Sequence, residues 1–123
     1  MAQYGIASGA LICALAVVAG AFGAHGLKAR LSAESLALWE TAARYLIYSG
    51  FGLTLVGLVA RQWPRPGFGW AASALVVGGV VFCGTVAALA LGGPRWLGAV
   101  TPLGGLLLIL GFLLFAWTAF RLG

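Results

Sequence analysis

The residues that could carry chemistry are concentrated in one stretch of this sequence, between positions 20 and 49. It contains the only histidine, His25, and the only two acidic residues, Glu34 and Glu40, together with three of the seven basic ones. Histidine and carboxylates can bind metal ions or transfer protons. Nucleophilic catalysis would instead need a Ser or Cys beside His25, and Ser32 is the nearest.

Spacing argues against most of this chemistry. Zinc requires three or four converging ligands, and Cys13 lies about 18 Å from His25 along a helix axis. Glu34 and Glu40 differ by about 120° around a helix and do not point together. No third group is visible to orient a Ser–His pair. We therefore expect no catalytic residue, no metal site and no cofactor, with His25 as a solvated histidine at the membrane surface.

The remaining polar constellation follows one half of a helix that starts near Ala33. A favourable i, i+4 pair, Glu40 and Arg44, lies on this half-face. It is either an interfacial helix face with a weak surface ion pair, or a site in which Arg44 lies below the lipid headgroups. With its neighbours on the same membrane side it forms a candidate cluster for a ligand or a lipid headgroup. The cluster comprises His25, Lys28, Glu34, Glu40, Thr41, Arg44, Tyr45, Tyr48, Arg95 and Thr101.

Composition identifies the solvent of this chain as lipid. Of its 123 residues, 63% are hydrophobic and 7% are charged, whereas a soluble domain carries about 25% charged residues. The basic residues occur singly, so they form no patch for nucleic acid and are better interpreted as contacts to membrane lipids.

Four apolar spans, at about 3–24, 33–60, 70–91 and 102–120, predict an all-α membrane protein. Short loops favour an antiparallel up-down bundle of four transmembrane helices in a single domain, 1–123, with both termini on one side. Ser32 is a suitable N-cap for the second helix, and Thr101–Pro102 a suitable start for the fourth. Lys and Arg are almost evenly divided between the two sides, so they do not fix the orientation.

Small residues recur at spacings of three and four, which lets helix backbones approach closely. We expect the first span, where this seam is most regular, to be the most buried. We expect the Leu-rich fourth span, with the weakest seam, to show the most surface. The predicted helix-packing positions are Gly5, Gly9, Cys13, Gly20 and Gly23 in the first span and Gly79, Cys83 and Gly84 in the third.

Five motifs occur in an order that resembles a known family: Gly20-Ala-Phe-Gly-Ala-His-Gly-Leu27, Trp39-Glu-Thr-Ala42, Tyr45-x-x-Tyr48, Phe82-Cys-Gly84 and Thr101-Pro-Leu-Gly-Gly105. They are similar to the small four-helix membrane proteins called domain of unknown function 423, a group related to bacterial YgdD and eukaryotic transmembrane protein 256. The resemblance implies four spans and a bacterial inner-membrane location, and it implies no reaction. The family often has His where this chain has Ser49, so a site built on two histidines is not expected.

Three hypotheses for function follow. The first is a structural or interaction protein without catalytic activity, which self-associates or serves as an accessory subunit of a larger membrane complex. The alternative is a small conduit or carrier for a proton, a small solute or a lipid, although such carriers usually show broken helices near the midplane. The third, an enzyme acting on a lipid through His25 and Glu34, has the least support from the sequence.

Overall fold

The computed structural model describes residues 2–123, and these form helices joined by short loops. The helices are α1 (Ala2–Phe22), α2 (Ala33–Gln62), α3 (Pro66–Ala90) and α4 (Leu97–Phe120), with a π-helical turn, Gly23–Leu27, directly after α1. All four are long and apolar enough to cross a membrane. The predicted all-α membrane fold with four spans is therefore confirmed.

The starts of α2 and α3 follow from local side-chain chemistry. The Ser32 hydroxyl accepts a hydrogen bond from the Ser35 backbone N–H at 3.1 Å, so the predicted N-cap is confirmed. Pro66 occupies the first position of α3, where a missing N–H leaves no intrahelical bond unmade.

The fourth helix begins earlier than predicted. It starts at Leu97, which places Pro102 inside the helix and makes the predicted start at Thr101–Pro102 wrong. Pro102 removes the N–H that would pair with the Gly98 carbonyl. Membrane helices tolerate such a loss where hydroxyls, waters or neighbouring helices bond the freed carbonyl. The Thr101 hydroxyl lies within reach of the adjacent Leu97 carbonyl at 3.0 Å and not of the Gly98 carbonyl.

The helices form an antiparallel row in which extensive contacts join only consecutive members, with light contact between α2 and α4. The two central helices are consequently the most buried. Only 11% of the apolar stretch of α1 is buried, against 39% for α2, 33% for α3 and 17% for α4. The prediction that the first span is the most buried is wrong, because its small residues cover one face and α2 is its single extensive neighbour. For the same reason α1, and not α4, shows the most surface.

Between α1 and α2 the backbones meet at glycines. A Cβ on Gly9 would lie 2.7 Å from the Gly50 carbonyl oxygen, and a Cβ on Gly50 would lie 2.9 Å from that of Gly9. One turn away, the Cys13 thiol faces the Ile47 carbonyl at 4.0 Å. Any larger side chain at either glycine would push the two helices apart.

Helices α3 and α4 also meet at glycines that let their backbones approach closely, although the weakest seam was predicted for α4. A Cβ on Gly104 would lie 2.8 Å from the Phe82 Cα, and one on Gly78 would lie 2.7 Å from the Leu108 amide nitrogen. One more such contact joins Gly111 to the Leu75 side chain. The glycines of α4 were missed because Gly104 and Gly111 are two turns apart and only large apolar residues occupy positions 106–110 between them.

The α2–α3 contact adds a hydrogen bond to close packing. Ser49 is buried, and its hydroxyl donates to the Leu75 carbonyl at 2.9 Å. Gly79 lies directly against Ser49. Two apolar clusters flank this point, one containing Val56, Phe68, Ala71, Leu75 and Leu108 and the other containing Ala42, Cys83 and Val86.

Two of the predicted packing glycines do not pack within the chain. A Cβ on Gly20 or on Gly84 would meet no atom within 4 Å, and Gly84 is exposed. Their spacing predicted that they would pack against another helix. They do not, because each lies on a part of its helix where no neighbouring helix comes within contact distance.

Gly104→Ala should lower the free energy of unfolding by about 1–3 kcal/mol, since the new methyl group would force the α3 and α4 backbones apart. Gly84→Ala is the matched control, because it adds the same methyl group where nothing is in contact. Denaturant unfolding of both variants in detergent, followed by tryptophan fluorescence, measures the difference. Equal stabilities for the two variants would contradict the close approach at Gly104.

Candidate functional site

Trp39 in α2 fixes the end of α1. Its indole N–H donates to the Ala19 carbonyl at 2.8 Å. Its ring covers Gly23, where a Cβ would lie 2.6 Å from the Trp39 Cδ1, and it meets the Phe22 ring edge to face at 6.3 Å. A buried indole usually needs such an acceptor, and here it holds the π-helical turn against α2.

The turn that follows presents polar side chains to the outside. π-Helical turns are rare and occur frequently at functional sites. His25 lies within this turn and is exposed, while Leu27 is buried beneath it. The Leu27 carbonyl accepts the N–H groups of Arg30 and Leu31, each at 2.9 Å, which closes the loop and leaves Lys28 exposed.

The polar half-face of α2 lies on the outer surface of the row. Glu34, Glu40 and Arg44 are all exposed. Thr41 is partly buried, and its hydroxyl donates to the Ala37 carbonyl of its own helix at 2.9 Å. Because Glu40 and Arg44 are exposed, an ion pair between them would contribute under about 1 kcal/mol even where it forms.

An aromatic cluster continues this face into the membrane. The Tyr45 ring lies 5.2 Å from that of Tyr48, edge to face, and 5.0 Å from the Phe82 ring of α3. Both tyrosines remain partly accessible, at 38% and 46%. The cluster therefore packs α2 against α3 and still presents two phenol groups outward.

A contact between two hydroxyl groups joins α3 to α4. The hydroxyl oxygens of Thr85 and Thr101 are 2.6 Å apart. Thr85 is also within reach of the Val81 carbonyl at 2.8 Å, and Thr101 of the Leu97 carbonyl at 3.0 Å. Each hydroxyl has one proton, so one threonine donates to the other while the second donates to its own helix.

The ten candidate residues fall into two groups. His25, Lys28 and the α2 residues lie along α1 and α2, because the π-helical turn contacts those two helices. Arg95, which is exposed, and Thr101 lie at the α3–α4 end of the row. Because extensive contacts join only consecutive helices, α1 and α4 lie apart. The sequence placed the α1–α2 and α3–α4 loops on the same membrane side, and it could not show how far apart they lie within the membrane plane.

Sequence reasoning missed Trp39 and Thr85 as polar contacts. Trp39 was considered as part of a motif and not as a hydrogen-bond donor, although its indole N–H in a helix at the membrane surface signals a need for an acceptor. Thr85 is a lone hydroxyl near the end of an apolar helix, and only the fold shows that Thr101 faces it. Within residues 2–123, no three His, Cys, Asp or Glu side chains are grouped so that they could hold a metal ion.

The family model described as "Protein of unknown function (DUF423)" matches residues 19–105. The matched segment includes the hydrogen bond from Trp39 to the Ala19 carbonyl and the contact between the Thr85 and Thr101 hydroxyls.

Bacterial proteins match over most of the chain. A UPF0382 membrane protein of Staphylococcus haemolyticus is 42% identical over 113 residues, covering 92% of both chains. Relatives with the same name in Staphylococcus epidermidis and Staphylococcus aureus are 45% identical over 105 residues and 35% identical over 113 residues, covering 85% and 92% of both chains. No solved structure matches.

Trp39→Phe should loosen the π-helical turn, because phenylalanine keeps an aromatic ring over Gly23 and loses the hydrogen bond to Ala19, worth about 0.5–1.5 kcal/mol. Amide hydrogen exchange of residues 19–31 should become about 2- to 12-fold faster, the factor that corresponds to this free energy, while exchange in α3 stays unchanged. Trp96→Phe is the control, since Trp96 is exposed in the loop before α4 on the same membrane side. Unchanged exchange in Trp39→Phe would show that the indole N–H does not hold the turn.

Proposed function

This chain belongs to the DUF423 family of membrane proteins, and from that premise we propose that it is a structural or interaction protein. In this proposal it associates, through the outer face of α1, with a second copy of itself or with a subunit of a larger membrane complex. It then acts by packing against other transmembrane helices and performs no catalysis of its own.

The observation that carries this proposal is a second stripe of small side chains on α1, directed away from α2. Its members are exposed: Ala7, Ala10, Ala14 and Ala21 in α1, with Ala24 in the π-helical turn that follows. Val17, which is 62% exposed, occupies the position between Ala14 and Ala21, so the small residues follow each other at three and four residues from Ala7 to Ala14. Interfaces between transmembrane helices are enriched in small residues, because these let the backbones approach. The stripe offers a partner helix the same kind of surface that joins α1 to α2.

The outer face of α4 provides a comparison within the same chain. It carries large apolar residues at three- and four-residue spacing, all exposed: Leu103, Leu106, Leu110, Leu113, Trp117 and Phe120. Such side chains suit contact with lipid tails, which are as apolar as leucine. The stripe on α1 therefore differs from the large side chains that this chain presents elsewhere to lipid, and this difference favours a protein partner at α1.

The alternative, a conduit or carrier, would require polar groups along a path through the helices. The polar side chain buried in the described chain is Ser49, and its hydroxyl is occupied by the Leu75 carbonyl. The partly buried hydroxyls of Thr54, Thr85 and Thr101 bond to carbonyls or to each other, and most other contacts between the helices are made by glycine and apolar side chains, which favours the interaction hypothesis. The named relatives are bacterial membrane proteins, and we propose the bacterial plasma membrane as the location, the inner membrane where there are two.

Ala10→Leu combined with Ala14→Leu should weaken association at least about tenfold, because two isobutyl groups would hold a partner backbone away from α1. Mass measurement of the protein released from its own membrane in mild detergent should show the wild type bound to a second copy or to another polypeptide, and the variant alone.

Ala116→Leu is the control for this experiment, since it adds the same bulk at an exposed alanine of α4. Two results would contradict the proposal. One is a wild-type protein that is strictly monomeric with no co-purifying polypeptide. The other is a double variant that associates as strongly as Ala116→Leu.

A further inference from the structure

An open groove runs between α1 and α3, with α2 as its floor. Its outer part, near the loop between α2 and α3, has a volume of about 700 Å³ and is lined by small and apolar residues such as Gly5, Gly57, Ala60 and Ala72. A further 350 Å³ continues along the helices between Tyr4 and Val77. The groove exists because α1 and α3 each pack on α2 without extensive contact between them.

Inside a bilayer such a groove must be filled by hydrocarbon, because an unfilled gap forfeits dispersion contacts along its walls. The volume lies within the range of small-ligand sites, about 300–1,000 Å³. A transmembrane helix is about 10–12 Å wide with its side chains, which is too wide to enter a groove of this volume. The shape therefore favours a flexible chain that lies parallel to the helices.

The mouth of the groove carries positive charge. Arg65 lines it, and its Nη1 donates to the Pro64 carbonyl at 3.0 Å, leaving the other guanidinium N–H groups available. Arg61 and Arg121 end α2 and α4 on the same membrane side. Both acidic residues of the chain, Glu34 and Glu40, lie near the opposite end of α2, roughly 30–40 Å from Arg61 along the helix.

A guanidinium group is well suited to phosphate, to which it donates two parallel hydrogen bonds. Trp70 also lines the mouth, and tryptophan is enriched at the level of the lipid headgroups. A phosphate group at Arg65 would thus lie where the headgroup of a lipid occurs, while its acyl chain would lie in the apolar part of the groove.

We propose that the groove between α1 and α3 binds a phospholipid with an anionic headgroup, whose phosphate contacts Arg65 and one of whose acyl chains lies along α2. The proposal concerns a different side of α1 from the alanine stripe and does not depend on association of the protein.

The test is native mass spectrometry of the detergent-solubilised chain, incubated with an equimolar mixture of phosphatidylglycerol and phosphatidylcholine. The wild type should retain phosphatidylglycerol at least fivefold more often than phosphatidylcholine. Arg65→Ala should lower retention of both lipids, since both carry the phosphate, and should reduce the preference for phosphatidylglycerol to about one, because only phosphatidylcholine has an ammonium group that offsets the phosphate charge. Arg121→Ala, which removes a charge on the same membrane side away from the groove, should leave the preference unchanged.

A second pair of variants tests the acyl-chain site independently of charge. Ser73 is exposed and lines both parts of the groove, so Ser73→Phe should fill it and reduce retention of either lipid at least fivefold. Ile109→Phe, on the exposed outer side of α4, should retain lipid as the wild type does.

Three results would overturn the proposal. The first is equal loss of preference in Arg65→Ala and Arg121→Ala, which would mean general attraction to a positive surface. The second is wild-type lipid retention in Ser73→Phe. The third is a bound mass that equals a second copy of the chain and disappears in Ser73→Phe, which would assign the groove to a protein partner.

Discussion

Helices that cross hydrocarbon are not driven together by the exclusion of water, because lipid tails solvate leucine as well as another leucine does. What remains is dispersion between closely packed surfaces, which weakens steeply once a gap opens. The reciprocal approach of Gly9 and Gly50 and the approach of Gly104 to Phe82 are therefore the contacts on which this fold depends. The row of helices follows from where such glycines occur, since α1 and α4 each have one packed face and the two central helices have more.

In the described part of the chain, hydrogen bonds from indole and hydroxyl groups supplement these contacts between each pair of consecutive helices, and the Cys13 thiol adds a weaker one to the Ile47 carbonyl. Trp39 bonds to Ala19 between α1 and α2, Ser49 bonds to Leu75 between α2 and α3, and Thr85 meets Thr101 between α3 and α4. Each bond between transmembrane helices is worth on average well under about 2 kcal/mol, so their role is to set register where the glycines allow sliding.

Ser49 shows how tightly that register is set. Its Cβ would lie 2.9 Å from a Cβ on Gly79. A side chain with a ring at position 49 would therefore require α2 and α3 to separate. The resemblance indicates that related chains often have histidine here. In this chain the position is occupied by a buried hydroxyl with a partner, and Cys83 packs nearby in an apolar cluster with Ala42 and Val86.

The sequence was sufficient for properties that depend on one segment at a time. Length and hydropathy predicted four spans, and the hydroxyl of Ser32 predicted the start of α2. It was insufficient wherever the outcome depended on which helix lies beside which. The regular seam of α1 suggested a central helix, although a seam specifies one packed face and not the number of neighbours. Gly104 and Gly111 stand two turns apart in a leucine-rich helix, so their spacing suggested no seam, and only the fold shows that they meet Phe82 and Leu75. The polar cluster was likewise predicted as one unit, since membrane side could be inferred from topology and lateral distance could not.

Because α1 lies at the end of the row, it has three different surfaces. Each of them can contact a different neighbour. One side meets α2 through Gly5 and Gly9, and a second presents the alanine stripe. A third borders the groove with Tyr4 and Ser8. A central helix such as α2 has a smaller open surface, because two neighbours pack against it. The low burial of α1 is thus the feature that leaves two surfaces open, and its attachment by Trp39 at one end and by glycine contacts along its length keeps those surfaces in fixed orientation.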